Sequence, residues 1–137
     1  MSEPLIVDAN PLMSALLGGR ADQIIASGRY QLYSTQYTLF EVARHLPRLS
    51  ELLECSELQL FEAFERLPVD ACQPSAYAEQ ENRARALIAA RDERDVPLLA
   101  LALAYQYPLW SDDRDFEGIG EIQLFKTGDL LSRLAAQ

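Results

Sequence analysis

Residues 98–105 read LLALALAY, apolar on every face of a helix. The run is built from leucine and alanine with no β-branched residue, which suits a helix better than a strand. Such a helix has to be buried, and its alanines let it pack close against a sheet. The rest of the chain supplies short strand candidates. Residues 4–8 are an apolar triplet, Leu5, Ile6 and Val7, that stops at Asp8. Residues 30–33, 68–72, 108–110 and 121–125 are the other strand candidates. Between them lie helical patterns. Residues 10–17 read as a helix with Asn10 as N-cap and Pro11 in first position, stopped by Gly18 and Gly19. Residues 21–26 form a short helix. Ser34 and Thr35 cap a helix carrying Leu39, Val42, Ala43 and Leu46 on one face, which Pro47 ends or bends. Residues 50–67 hold one or two more helices, with Ser56 a cap and Leu60, Phe61 and Phe64 on one stripe. Residues 74–91 read as a long helix. Thr127 caps a last one through Leu134. Alternation of this kind predicts a three-layer α/β/α sandwich with a mostly parallel central sheet, filling one domain over residues 1–137.

Charge narrows the function. With 21 acids against 12 bases the formal charge is −9, and Lys126 is the sole lysine. A protein that coats nucleic acid through a broad cationic face is excluded. An enzyme that meets nucleic acid through bound cations is not, because carboxylates hold the cations and the cations supply the positive charge. His45 is the one histidine and reads as a helix-end residue favoured by the helix dipole. With Cys55 and Cys72 it lacks the compact spacing of a zinc site, and the two cysteines read as buried free thiols. No apolar run reaches the ~20 residues of a membrane span, and no basic n-region precedes Leu5, so the expected compartment is the cytoplasm.

The acids fall at informative places. Asp8 ends the first strand, and Asp112, Asp113 and Asp115 follow the strand at Leu109 and Trp110. In parallel α/β sheets the ligand crevice lies at the carboxyl ends of the strands. Glu41 lies near the start of a helix that follows a strand, and Asp95 stands just before the apolar helix with Pro97 in its first turn. Convergent carboxylates suit Mg²⁺ or Mn²⁺, hard cations that take oxygen ligands and stabilise charge on phosphate. Without a cation the carboxylates repel, and at least one pKa rises. Each acid also has an ordinary reading: Asp95 as an N-cap, Glu41 paired with Arg44, the Asp112 to Asp115 group as a polar turn. Asp8 resists one, since a carboxylate at the end of a buried strand needs a partner. Arg83, Arg85, Arg91 and Arg94 form the densest cationic stretch. They read as a solvated helix face or, if RNA binds, as its phosphate contacts, with Arg83, Arg91 and Arg94 the first candidates.

Four segments taken in order, LIVDAN from Leu5, TLFEV from Thr38, RDVPLLALA from Arg94 and LWSDDRDF from Leu109, resemble the PIN domain nucleases, the family that includes the VapC-type toxins. The last two look most like a subgroup with a D-V-P helix start and a W-S-x-D-x-D-F ending. The resemblance implies a Rossmann-like fold and Mg²⁺- or Mn²⁺-dependent endoribonuclease activity. It matches Asp8, Glu41, Asp95 and Asp113 to the family's catalytic acids and Asp8, Asp95, Asp113 and Asp115 to its metal ligands. Ser111 matches a supporting hydroxyl, and Asn10 and Asp112 stand as secondary supports. Toxin members dimerise and are held by a cognate antitoxin, so a homodimer and an antitoxin partner are expected, with no membrane. The segment 49–67, richer in apolar residues than one stripe needs, fits the dimer. Other members process RNA, and a catalytically silent interaction module is a further alternative. The rival outside the family is a phosphoacceptor receiver domain, for which Lys126 and Thr127 are suggestive. Its acidic pair is missing after the first strand, and Asp70 is a poor phosphoacceptor candidate.

Overall fold

The computed structural model describes residues 2–88 and 91–136. Five strands form one parallel sheet in the order β3-β2-β1-β4-β5. They are β1 (Glu3–Val7), β2 (Tyr30–Thr35), β3 (Val69–Cys72), β4 (Leu109–Trp110) and β5 (Leu124–Phe125). The helices are α1 (Ala9–Leu16), α2 (Ala21–Ala26), α3 (Gln36–Leu53), α4 (Glu57–Glu65), α5 (Glu81–Ile88), α6 (Val96–Tyr105) and α7 (Thr127–Ala135). Parallel neighbours cannot be joined by hairpins, so helical crossovers cover the sheet and its central strands read as apolar runs. The two faces of β1 divide accordingly. Ile6 packs with α5 and α6, while Leu5 and Val7 pack with α1, α2 and α7. Leu109 and Trp110 split the same way on β4. Helix α6 is buried from Leu98 to Leu103, as its composition requires. The sheet turns at β1 and β4, where the chain, having laid β2 and β3 to one side, crosses to the other. This order differs from the 2-1-3-4-5 order of receiver-type sheets.

Several sequence expectations need correction. The N-cap of α1 is Asp8, not Asn10: the Asp8 side chain accepts from the Ala9 N–H, and Asn10 is the second helical residue. Pro47 does not end α3, which runs on to Leu53. Burial of Leu46, Leu49 and Ser50 against α4 and α1 outweighs the roughly 3 kcal/mol local cost of an interior proline. The Ser50 hydroxyl donates to the Pro47 carbonyl at 2.7 Å. His45 therefore sits in mid-helix, not at a helix end. The predicted helix over 74–91 is two 3₁₀ turns, Pro74–Ala76 and Ala78–Gln80, followed by α5; Ala89 and Ala90 lie outside the described residues. The interruption falls at Tyr77, whose φ of −133° is not helical and whose ring is buried against α6. The last strand is shorter than expected, Leu124–Phe125 alone. Among the described residues no helix is long and apolar enough to cross a membrane.

Candidate metal centre at the carboxyl edge of the sheet

Strands β1 and β4 pair in parallel with Val7 opposite Trp110, so the residues that follow them are neighbours. The Asp8 N–H donates to the Trp110 carbonyl at 3.0 Å. One step on, the Ser111 hydroxyl donates to Asp8 Oδ2 at 2.6 Å and accepts the Asp113 N–H at 3.0 Å. Asp113 in turn accepts the Asp115 N–H at 2.9 Å. A chain of short bonds thus runs from the end of β1 through buried Ser111 into the turn after β4. Its register is set by sheet pairing rather than by flexible loop contacts.

Asp8, Glu41, Asp95 and Asp113 line one pocket of about 210 Å³, together with Asn10, His45, Asp92 and Arg94. Glu41 and His45 are four residues apart on α3 and face it as a pair. Asp95 arrives on the first turn before α6, which runs antiparallel to the strands and so begins at their carboxyl edge. Its side chain makes no capping bond. Its Oδ2 is buried and without a hydrogen-bond partner among the described residues. Burial first, then the charges of Asp113, Asp8, Asp92 and Asp115, push the Asp95 carboxyl up to about 8. Burial also raises Asp8, opposed by its bonds from Ser111 and Ala9 and reinforced by the charges of Asp113 and Glu41. Carboxylate oxygens of Asp92, Asp95 and Asp115 lie within 4.8 Å of one another.

Asp92 was not singled out from the sequence. It lies in the turn before α6, three residues ahead of Asp95, and its spacing matches one 3₁₀ turn, a signal legible only once that turn is known. Its carboxylate accepts from the Arg94 N–H at 2.9 Å and from Arg94 Nη2 at 3.0 Å, which holds it below the usual carboxylate range. Asp112 turns the other way: it accepts the Thr127 N–H at 2.8 Å and the Thr127 hydroxyl at 2.6 Å, anchoring the start of α7. Arg91 Nη1 donates to the carbonyls of Asp115 and Glu117, tying down the turn after β4. Arg83 lines a different cavity of about 320 Å³, at the opposite edge with Gln106, Tyr107 and Gln123. That cavity is larger, but Glu121 is the one acid in its lining, so the chemistry points to the smaller pocket.

The pocket's donors are carboxylate oxygens but for the one imidazole of His45, and one of those oxygens is desolvated and unpartnered among the described residues, a set that fits a hard divalent cation better than a softer metal.

Residues 6–130 match the PIN domain family, and the chain belongs to it. Three solved structures share the fold. A toxin-antitoxin complex from Klebsiella pneumoniae is 20% identical, with a TM-score of 0.67 over 90% of this chain and 97% of that one. VapBC2 from Rickettsia felis, bound to a DNA fragment from the promoter, is 11% identical, with a TM-score of 0.70 over 90% and 98%. DNA-bound VapBC from Salmonella typhimurium is 15% identical, with a TM-score of 0.68 over 93% and 99%. No curated protein matches the sequence significantly.

Proposed function

We propose that this chain is a single PIN domain over residues 1–137 that hydrolyses phosphodiester bonds of RNA as a Mg²⁺- or Mn²⁺-dependent endoribonuclease. The observation that carries the reading is the convergence of Asp8, Glu41, Asp95 and Asp113 on one pocket with the buried Asp95 Oδ2 left unpartnered. Asp8, Asp95, Asp113 and Asp115 would hold the cation. When bound, it supplies positive charge to the phosphate oxygens and acidifies water. The chain's own residues do the rest. Ser111 fixes the Asp8 carboxylate at one oxygen and the Asp113 backbone at the other side of its hydroxyl. Glu41, on the α3 wall, orients the attacking water by accepting its hydrogen bond. Attack in line on phosphorus leaves a 5′-phosphate and a 3′-hydroxyl. Asn10 supports the rim, and Arg94 meets the RNA backbone, with Arg83 and Arg91 outlying contacts at most.

The three toxin-antitoxin structures that share the fold support a toxin role in the cytoplasm with a cognate antitoxin as partner. The exposed apolar side chains of Leu52, Leu58 and Phe61 support a homodimer. Light scattering at micromolar concentration reads the dimer directly, and a monomer mass removes that part. The main test is incubation of the purified protein with single-stranded and structured RNAs in chelator, Mg²⁺ and Mn²⁺. Cleavage is expected with the cations only, and equal cleavage in chelator overturns the reading.

A further inference from the structure

Arg94 lines two cavities at once. One is the acidic pocket. The other is a neighbouring cleft of about 230 Å³ bounded by Tyr37, Glu81, Arg85, Glu93, Val96 and Pro97. Asp92 grips the side of Arg94 through Nε at 3.2 Å and Nη2 at 3.0 Å, leaving Nη1 without a partner among the described hydrogen bonds. The ion pair inclines the exposed guanidinium toward the ridge between the carboxylates and the cleft. Tyr37 on the first turn of α3 is 41% exposed and forms a wall of that cleft. Arg85 is held there by Glu93 at 2.8 Å.

We infer that this cleft is a nucleotide subsite next to the reacting phosphate. Arg94 takes the adjoining phosphate, Tyr37 stacks on the base, and Asp92 is the positioning residue for Arg94. The chemistry agrees with one nucleotide of a single strand: an aromatic face for a base of any sequence, Arg94 Nη1 for the adjoining phosphate, and apolar Val96 and Pro97 beneath the base, while Arg85 is neutralised by Glu93. In a chain of net charge −9 a cation beside the acidic pocket is scarce, and the Asp92 pair keeps Arg94 oriented there. The inference rests on the RNA-cleaving function proposed above.

The test uses the full chain and a 5′-fluorescein single-stranded RNA of twelve nucleotides. KM and kcat are measured in Mn²⁺, and the dissociation constant by anisotropy with Ca²⁺ in its place. Tyr37→Ala and Arg94→Ala should each raise KM and the dissociation constant about tenfold with kcat changed less than about threefold. Tyr37→Phe keeps the ring but removes the hydroxyl that faces Glu41, so its KM and dissociation constant should stay within about twofold of wild type whatever happens to kcat. Asp92→Asn keeps an oxygen for the Arg94 N–H but weakens the grip, so it should weaken binding in the wild-type background and not in Arg94→Ala. Tyr37→Ala with wild-type KM and dissociation constant overturns the subsite, as does a Tyr37→Phe that raises the dissociation constant as much as Tyr37→Ala. An Asp92→Asn effect that persists in Arg94→Ala, with a changed Mn²⁺ requirement, makes Asp92 a cation ligand and overturns its positioning role. A wild-type protein that neither cleaves nor binds RNA removes the proposed function and this inference together. Cleavage with none of these variants shifted removes this inference alone.

Discussion

Ser111 donates its hydroxyl to Asp8 Oδ2 at 2.6 Å across the β1–β4 pairing while accepting the Asp113 N–H at 3.0 Å. One buried hydroxyl thus links two of the pocket's acids at the point where the sheet reverses its order. In Ser111→Ala the Asp8 carboxylate loses a charge-assisted donor and the Asp113 N–H loses its acceptor. Stability should fall by about 1–3 kcal/mol, read as a lower thermal midpoint in chelator. Cleavage should fall at least tenfold, because Asp8 and Asp113 lose their common tether. An unchanged midpoint would mean that water replaces the hydroxyl on both sides.

The Asp95 carboxyl, raised from 3.8 to about 8, makes the metal-free fold sensitive to pH. A raised pKa means the folded state holds its proton while the unfolded state has released it. Stability from this group is full below about pH 4 and is lost as pH rises toward 8. The carboxyl is only half-buried, so solvent screening keeps the loss well below the full linkage value. In chelator, Asp95→Asn should flatten the pH dependence of unfolding between pH 4 and 8. At pH 8 it should melt about 3 °C or more above wild type. Denaturant titrations at several pH values read this, and a variant less stable than wild type at pH 8 would show that the carboxylate has an unrecognised partner.

Asp112 and Asp113 are adjacent in sequence and part ways in the fold. Asp112 caps α7 through Thr127, whose hydroxyl also accepts from Trp110 Nε1 at 3.0 Å. Asp112→Ala should cost about 0.5–2 kcal/mol, the range for a lost helix cap. Its midpoint shift on adding Mg²⁺ should match wild type, whereas Asp113→Ala should lose most of that shift. A lost Mg²⁺ response in Asp112→Ala would return Asp112 to the cation site.

The ends of β1 and β4 and the helix caps at Thr35 and Ser56 are legible because they follow from short-range chemistry. Leu5, Ile6 and Val7 read as a buried strand, which puts Asp8 at the crevice edge, and LLALALAY reads as a buried helix, but topology alone does not bring Asp95, just ahead of it, to that edge. What escaped depended on long-range packing. Pro47 reads locally as a stop, yet Leu46 and Leu49 pack on both sides of it and the helix continues. Tyr77 breaks a helical pattern because its ring is drawn into the core beside α6. Asp95 has the sequence context of an N-cap, but the turn before α6 aims its side chain at other acids. Asp92 escaped for the same reason, since its role depends on how that turn brings it beside Arg94.

Asp8→Asn separates repulsion relief from hydrogen bonding. Asp8 carries two acceptor roles, from Ala9 N–H at 2.7 Å and from Ser111, where Asp95 Oδ2 has none among the described residues. An asparagine keeps one oxygen for the Ala9 cap, but its amide nitrogen faces the Ser111 hydroxyl and forces it to rotate. The relief of repulsion from Asp113 and Glu41 is therefore partly offset. In chelator, Asp8→Asn should melt close to wild type, within about 1 kcal/mol, and below Asp95→Asn. Cleavage should be abolished in both. Added Mg²⁺ should raise the wild-type midpoint by mass action and each variant much less. Thermal melts of the three proteins with chelator and with Mg²⁺ decide the matter. An Asp8→Asn protein that melts far below wild type yet keeps the full Mg²⁺ response would make Asp8 a structural cap and leave the cation to the Asp95 side of the pocket.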